Sequence, residues 1–297
     1  MVLIVERHLR KFQSRSRSRS RIPLVLPHNI SCLNTFSGIF PYTFTIIYTG
    51  VLTPNMSGSI MAEMKKRKSG VNRQEDKKMN EYYDAIIVGT GAAGLYCALN
   101  LPSRMKILMI TKQQADQSDS FLAQGGICML RGEGDYNNYF EDTMRAGHYE
   151  NDAKAVELMI RSSNSIIRDL LQRNVNFARK ENGELDFTRE GAHSQPRILF
   201  YEDVTGKQIT QTLLNQALTR DNIEICEYMT MVDIISKDNI CGGVIIMDEK
   251  NEVYPVRAPH VVLACGGLGG LYKNSTNFPH ISGDGLGIAM KHQVVLE

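Results

Sequence analysis

Ordered hydrophobic patterning begins near residue 84 and continues to the end of the chain. Residues 84–88 read DAIIV, a short apolar run ending in glycines, and predict a buried strand. Residues 91–101 continue as a helix, and 106–110 (KILMI) give a second buried strand. That is a strand–helix–strand unit of about 30 residues, the usual βαβ size. Over residues 151–173 the apolar positions Val156, Met159, Ile160, Ile166, Ile167, Leu170 and Leu171 recur at helical spacing, with Asn151 or Asp152 as the N-cap. Residues 206–219 predict another helix. Residues 223–227, 229–236, 242–248 and 252–257 predict strands, the last two joined by a hairpin turn at Glu249-Lys250-Asn251. Residues 261–264 (VVLA) form a further buried strand running into Gly266-Gly267. No internal repeat is visible.

Residues 1–80 lack this order. Residues 14–21 read SRSRSRSR, and the apolar stretch 36–52 is interrupted by Pro41. It is shorter than the roughly 20 apolar residues that a spanning helix needs. The expectation is a disordered basic leader, or sequence upstream of the true start, with Met56, Met61, Met64 and Met79 as internal starts. A basic beginning followed by an apolar stretch keeps organelle targeting by residues 1–50 open. The SR run keeps open an RNA-associated role.

The chain of 297 residues is 42% hydrophobic and 22% charged, which excludes a wholly disordered chain, a collagen-like fibre and a disulfide miniprotein. Its net charge of +2 hides an asymmetry. Residues 1–78 carry 14 Lys/Arg against 4 Asp/Glu, net +10; residues 79–297 carry 20 against 28, net −8. The acidic body predicts no nucleic-acid surface and no membrane association. The six cysteines form no Cys-x-x-Cys and no Cys/His cluster, so a disulfide frame and a zinc site are not expected. Buried thiols are expected at most of them.

Gly89-Thr90-Gly91-Ala92-Ala93-Gly94 is a G-x-G-x-x-G between a strand and a helix. The first glycine makes the tight turn, the second admits a pyrophosphate to the backbone, and the third lets helix pack on strand. The helix N-terminus offers free N–H groups and a positive dipole end to the phosphates. This context predicts a dinucleotide. The second strand ends in Thr111 and Lys112, with no carboxylate for a ribose. Lys112 leaves NADP open beside other ribose or phosphate contacts.

Next comes Asp119-Ser120-Phe121-Leu122-Ala123-Gln124-Gly125-Gly126, a loop whose glycine-rich backbone can press against a flat ring. Here the sequence resembles the fumarate reductase/succinate dehydrogenase flavoprotein family, and within it the L-aspartate oxidase branch. The segments Phe140-Glu141-Asp142-Thr143, Thr188-Arg189-Glu190-Gly191-Ala192-His193-Ser194, Arg197-Ile198-Leu199, Asp203-Val204-Thr205-Gly206, 261–267 and Ser282-Gly283-Asp284-Gly285 carry the same resemblance in the same order. It covers residues 82–297.

The resemblance implies an α/β fold: a Rossmann-like FAD-binding domain over 81–297, with a parallel sheet, a β-meander and the start of a capping domain. It implies FAD held by 89–94, Thr111, Lys112, 119–126 and Asp284. Covalent relatives carry histidine where this chain has Asp119, so non-covalent FAD is expected. It implies oxidation of L-aspartate to iminoaspartate with O2 or fumarate as acceptor, the first step of NAD (quinolinate) biosynthesis. Quinolinate synthase is then a downstream partner, and the cytoplasm the compartment. Glu141 is expected to orient the substrate, with His193 and Arg197 as candidates to approach the dicarboxylate. Phe200 stands where the oxidases carry histidine, and Asp119 where they more often carry serine. The family continues beyond Glu297 into the rest of the cap, with the acid/base arginine and substrate histidines, and a helical domain. The chain is therefore expected to be an N-terminal portion, which keeps an inactive fragment and a fumarate reductase-like flavoprotein open as alternatives.

Overall fold

The computed structural model describes residues 3–5 and 82–294. In chain order its elements are β1 (Leu3–Val5), β2 (Ala85–Val88), α1 (Ala92–Asn100), β3 (Ile107–Ile110), α2 (Asp119–Leu122), β4 (Ile127–Cys128), α3 (Tyr136–Ala146), α4 (Ala153–Gln172), β5 (Ile198–Leu199), α5 (Thr205–Leu218), β6 (Ile223–Cys226), β7 (Thr230–Lys237), β8 (Ile240–Met247), β9 (Val253–Arg257), β10 (His260–Leu263) and α6 (Asp284–Lys291). The main sheet has the order β1-β10-β2-β3-β6. β10, β2, β3 and β6 run parallel, and β1 closes the edge antiparallel.

The sheet is covered on both faces, as its continuous apolar strands require. All four residues of β2 and of β3 are buried. Their alternation assigns the two layers. Ala85, Ile87, Ile107 and Met109 join Leu95 of α1, Ile167 and Leu170 of α4, and Leu213 and Leu214 of α5. Ile86, Val88, Leu108 and Ile110 face Met231, Val244, Ile246 and Val256 of the antiparallel meander β7-β8-β9, and Ile288 of α6. The α/β sandwich expected from the sequence, with its parallel sheet and meander, is the fold observed. A smaller core of Leu130, Tyr139, Val156 and Ile160 lies under α3 and α4.

Several details differ from expectation. The sequence reading gives no strand before residue 81, yet β1 pairs with β10. The rest of the leader, with its SR run, its 36–52 stretch and Cys32, lies outside the described residues. The segment read as an open ring-contact loop begins with one helical turn, α2. Of the five described cysteines, Cys97 and Cys241 are buried, whereas Cys128, Cys226 and Cys265 are only partly so, because these three sit at strand ends beside cavities or edges.

Candidate cofactor site

Three parallel strands end at one cleft. β2 runs into Gly89, β3 into Thr111 and Lys112, and β10 into Ala264-Cys265-Gly266; these ends line a cavity of about 110 Å³. β3 and β10 lie on opposite sides of β2, so the chain leaves β2 at a topological switch point, where open α/β sheets place ligands.

The glycines are required by contact. Gly89 holds φ +110°, and a Cβ there would run into the Ala264 carbonyl. A Cβ on Gly94 would strike the Gly89 carbonyl, so α1 lies this close to β2 only without a side chain. Gly91 caps α1 in extended conformation with no side-chain cap, leaving the first-turn N–H groups unclaimed by a capping side chain. Thr90 is buried, and Ala92 and Ala93 form the first turn of α1.

Lys112 does not stand free. Its Nζ donates to Asp284 Oδ2 at 2.6 Å and to Ser282 Oγ at 2.8 Å, joining the end of β3 to the start of α6. The Lys112 charge that left NADP open is thus already matched. Asp119 accepts from Asn277 Nδ2 and, at 3.0 Å, from Phe278 N, and so ties α2 to the 277–278 loop. α5 fixes the following turn: Gly206 N donates to Ala123 O at 2.8 Å, and a Cβ on Gly206 would collide with the Ser120 and Ala123 carbonyls. Phe121 is partly exposed, and Leu122, Ala123, Gln124, Gly125 and Gly126 are exposed. Sequence reasoning missed Ser118, whose hydroxyl is buried in the cleft wall with no hydrogen-bond partner among the described residues. Its only signal was adjacency to the motif loops. Cys265, carried by the 261–267 segment of the resemblance, also lines the cleft.

The 119–126 loop ends at a second cavity of about 430 Å³, lined by Gly126, Ile127 and Cys128 and by side chains of α3, α4 and His193. Arg197 lies behind it, wholly buried. It donates to Asp135 through Nη2 (2.7 Å) and Nε (3.0 Å), and to Asp142 through Nη1 (2.7 Å). Asp142 also accepts from Ser194 N and Oγ, each at 2.7 Å, and from Arg145 at 2.7 Å. Burial alone would raise the Asp142 carboxyl, but the Ser194 and Arg197 bonds outweigh it and pull it down to about 2. Arg197 therefore faces two carboxylates of this chain, and its fork has no donor pair left for a dicarboxylate. His193 lines the cavity and is bound to Arg197 at 3.1 Å through Nδ1. Glu141 lies in neither cavity; it is exposed on α3 and accepts from the Tyr149 hydroxyl at 2.6 Å. Among the described residues no group of three His, Cys, Asp or Glu could hold a metal, and no helix is long and apolar enough to cross a membrane.

The chain is similar to the L-aspartate oxidase of Clostridium acetobutylicum, 41% identical over 216 residues, which are 73% of this chain and 50% of that protein. It is 40% identical to the L-aspartate oxidase of Clostridium perfringens over 219 residues, 74% of this chain and 49% of that protein. The chain thus spans about half the length of these curated relatives. Among solved structures, a variant of E. coli quinol fumarate reductase matches with TM-score 0.66 and 27% identity, covering 71% of this chain and 37% of that one. The model of the FAD binding domain matches residues 84–297. Those residues hold the glycine cradle, the 119–126 loop and Asp284, and by that match the chain belongs to the FAD binding domain family.

Proposed function

We propose that the protein to which this chain belongs oxidises L-aspartate to iminoaspartate, with non-covalently bound FAD as cofactor and O2 or fumarate as final acceptor. The observation that carries this reading is the 40–41% identity to two L-aspartate oxidases across the cofactor domain. The residues fit the cofactor: the cleft is closed to a Cβ at Gly89 and Gly94, and Ser118 offers it an unclaimed buried hydroxyl. Gly89 to Gly94 would hold the pyrophosphate at the α1 N-terminus. Thr111, Lys112, Asp284 and residues 119–126 would hold the remainder, and Asp119 offers no imidazole for a covalent link. When bound, the flavin supplies the two-electron acceptor. Glu141 would orient the substrate through its ammonium, as a carboxylate pairs with a cation at short range. The buried Arg197 cluster would hold the far end of the cofactor loop in place. Under this reading the product feeds quinolinate formation and NAD synthesis, with quinolinate synthase downstream, in the cytoplasm.

The test uses the protein purified from its source. Acid denaturation should release the flavin into the supernatant; flavin retained on the polypeptide refutes non-covalent binding. Anaerobic L-aspartate should then bleach the flavin. The similarity to quinol fumarate reductase supports a second reading, a fumarate reductase-like flavoprotein. Bleaching by succinate and not by L-aspartate would select it.

A further inference from the structure

α6 carries cleft residues at one end and is tied to the meander at the other. At its start Asp284 accepts from Lys112 Nζ at 2.6 Å and from Ser282 Oγ at 2.9 Å, and Gly285 lies so close to Cys265 Sγ that a Cβ would not fit. Asp284, Gly285 and Cys265 all line the cofactor cleft. At its end Lys291 Nζ donates to Asp233 Oδ2 at 2.6 Å, and His292 Nε2 meets Asp233 Oδ1 at 2.7 Å. Asp233 lies on β7 and is not among the residues that line the cleft. At about 1.5 Å of rise per residue, the two ends of α6 stand roughly 12 Å apart.

A β-bulge brings Asp233 to α6. Met231 pairs with Ile246 and Asp233 with the adjacent Ile245, so Val232 is the extra residue of β7. Under strict alternation Asp233 would share the core-facing side of Met231. The bulge instead returns Ile234 to the core beside Met231 and lets Asp233 turn towards α6. Burial would raise the Asp233 carboxyl, but the Lys291 and His292 bonds outweigh it and pull it down, so it stays ionised. Lys291 and His292 sit where a helix dipole favours cations. α6 needs such an anchor, because its eight residues are too few to hold a helix in water and it buries only Gly285, Ile288 and Ala289. We propose that Asp233 is a positioning residue for the cofactor: through Lys291 and His292 it fixes α6, and so sets where Asp284 and Gly285 stand in the cleft. This role rests on the reading in which FAD touches Asp284.

Stepwise dilution of the flavin-loaded protein, with flavin release read by fluorescence, gives Kd for FAD in each variant. Asp233→Asn keeps the shape, removes the charge and should raise Kd about fivefold. Asp284→Ala should raise it about tenfold. If Asp233 works through Asp284, the double variant binds about as weakly as Asp284→Ala alone, whereas two independent losses would multiply to about fiftyfold. A general loss of stability would not produce that non-additivity. Lys291→Ala leaves β7 unaltered and should raise Kd about threefold, again adding nothing to Asp284→Ala, so it carries the test should Asp233→Asn not fold. A Kd unmoved by both Asp233→Asn and Lys291→Ala, or effects that multiply with Asp284→Ala, would overturn the role of Asp233 and leave Asp284 a cofactor contact. A Kd unmoved by Asp284→Ala would overturn both.

Discussion

Replacing Arg197 with methionine tests the buried ionic cluster directly. Methionine keeps much of the apolar stem and removes the charge and all the donors. Asp135 and Asp142 then remain buried, their side chains 9% and 4% exposed, with their shared cation gone. Breaking a buried pair by deleting one partner costs about 3–5 kcal/mol. Asp142 gauges the cluster as a whole, since the Ser194 N and Oγ bonds lower its carboxyl together with Arg197. Its carboxyl titrates at about 2 in the fold against the ordinary 3.8. That gap corresponds to roughly 2 kcal/mol of stability. Because the folded value is the depressed one, this stability is complete above pH 4 and is lost as the pH falls from 4 towards 2. In Arg197→Met the carboxylates gain from protonation, so stability should rise as the pH drops from 7 to 5, where the parent stays flat. Urea unfolding followed by far-UV circular dichroism at pH 7, 5 and 3 measures both effects. A loss below about 1 kcal/mol at pH 7, or a variant whose pH profile parallels that of the parent, would refute the reasoning.

Three further outcomes follow from the geometry. Gly94→Val should abolish FAD retention on gel filtration, since its Cβ meets the Gly89 carbonyl, while the meander keeps its circular dichroism. Asp284→Ala, which leaves Lys112 without its carboxylate, should weaken FAD by about tenfold in a flavin fluorescence titration; an unchanged Kd would remove Asp284 from the cofactor contacts. Burial pushes the Cys97 thiol up to about 12, so iodoacetamide at pH 8 should leave it unlabelled in the native protein and modify it after urea, as read by peptide mass.

The α/β sandwich was legible because its strands are apolar on both faces and end in glycine. The run AIIV into Gly89 and the run HVVL towards Gly266 need no tertiary knowledge to be read as buried strands pointing at one cleft. α4 was legible for a different reason, since its apolar stripe and the Asp152 cap, which accepts from Ala155 N at 2.8 Å, are local signals. α3 was hidden. Tyr136, Tyr139, Phe140 and Met144 stand at helical spacing against the small core, but of these only Tyr139 is buried, so the stripe is weak in sequence. The role of Arg197 was hidden too, because its partners stand 55 and 62 positions away and no local pattern marks a carboxylate as buried. Glu141 and Asp142 are neighbours in sequence, yet one faces solvent and the other is locked in the cluster. The motif named the segment without telling which carboxylate would be tied up.

The position of that cluster explains how the cofactor loop is held at its far end. β4 and β5 are two residues each, too short to fix an orientation by themselves, and they pair Ile127 with Leu199 and Cys128 with Ile198. Arg197 immediately precedes β5, and its carbonyl accepts from Met129 N at 2.8 Å, just beyond β4. Through its two carboxylates the same residue is bolted to the start of α3 at Asp135 and to its middle at Asp142. The apolar core beneath α3 is small, so charge-assisted bonds supply the directionality that packing there does not. Gly126 completes the chain of contacts: at φ +100° it lies against the Leu199 carbonyl, so close that a Cβ would not fit. Asp119 fixes one end of the cofactor loop through the 277–278 loop, and Arg197 fixes the other through β5. An arginine that a sequence motif suggests as a substrate contact is thus placed to act one step back, by setting where Gly126 lies.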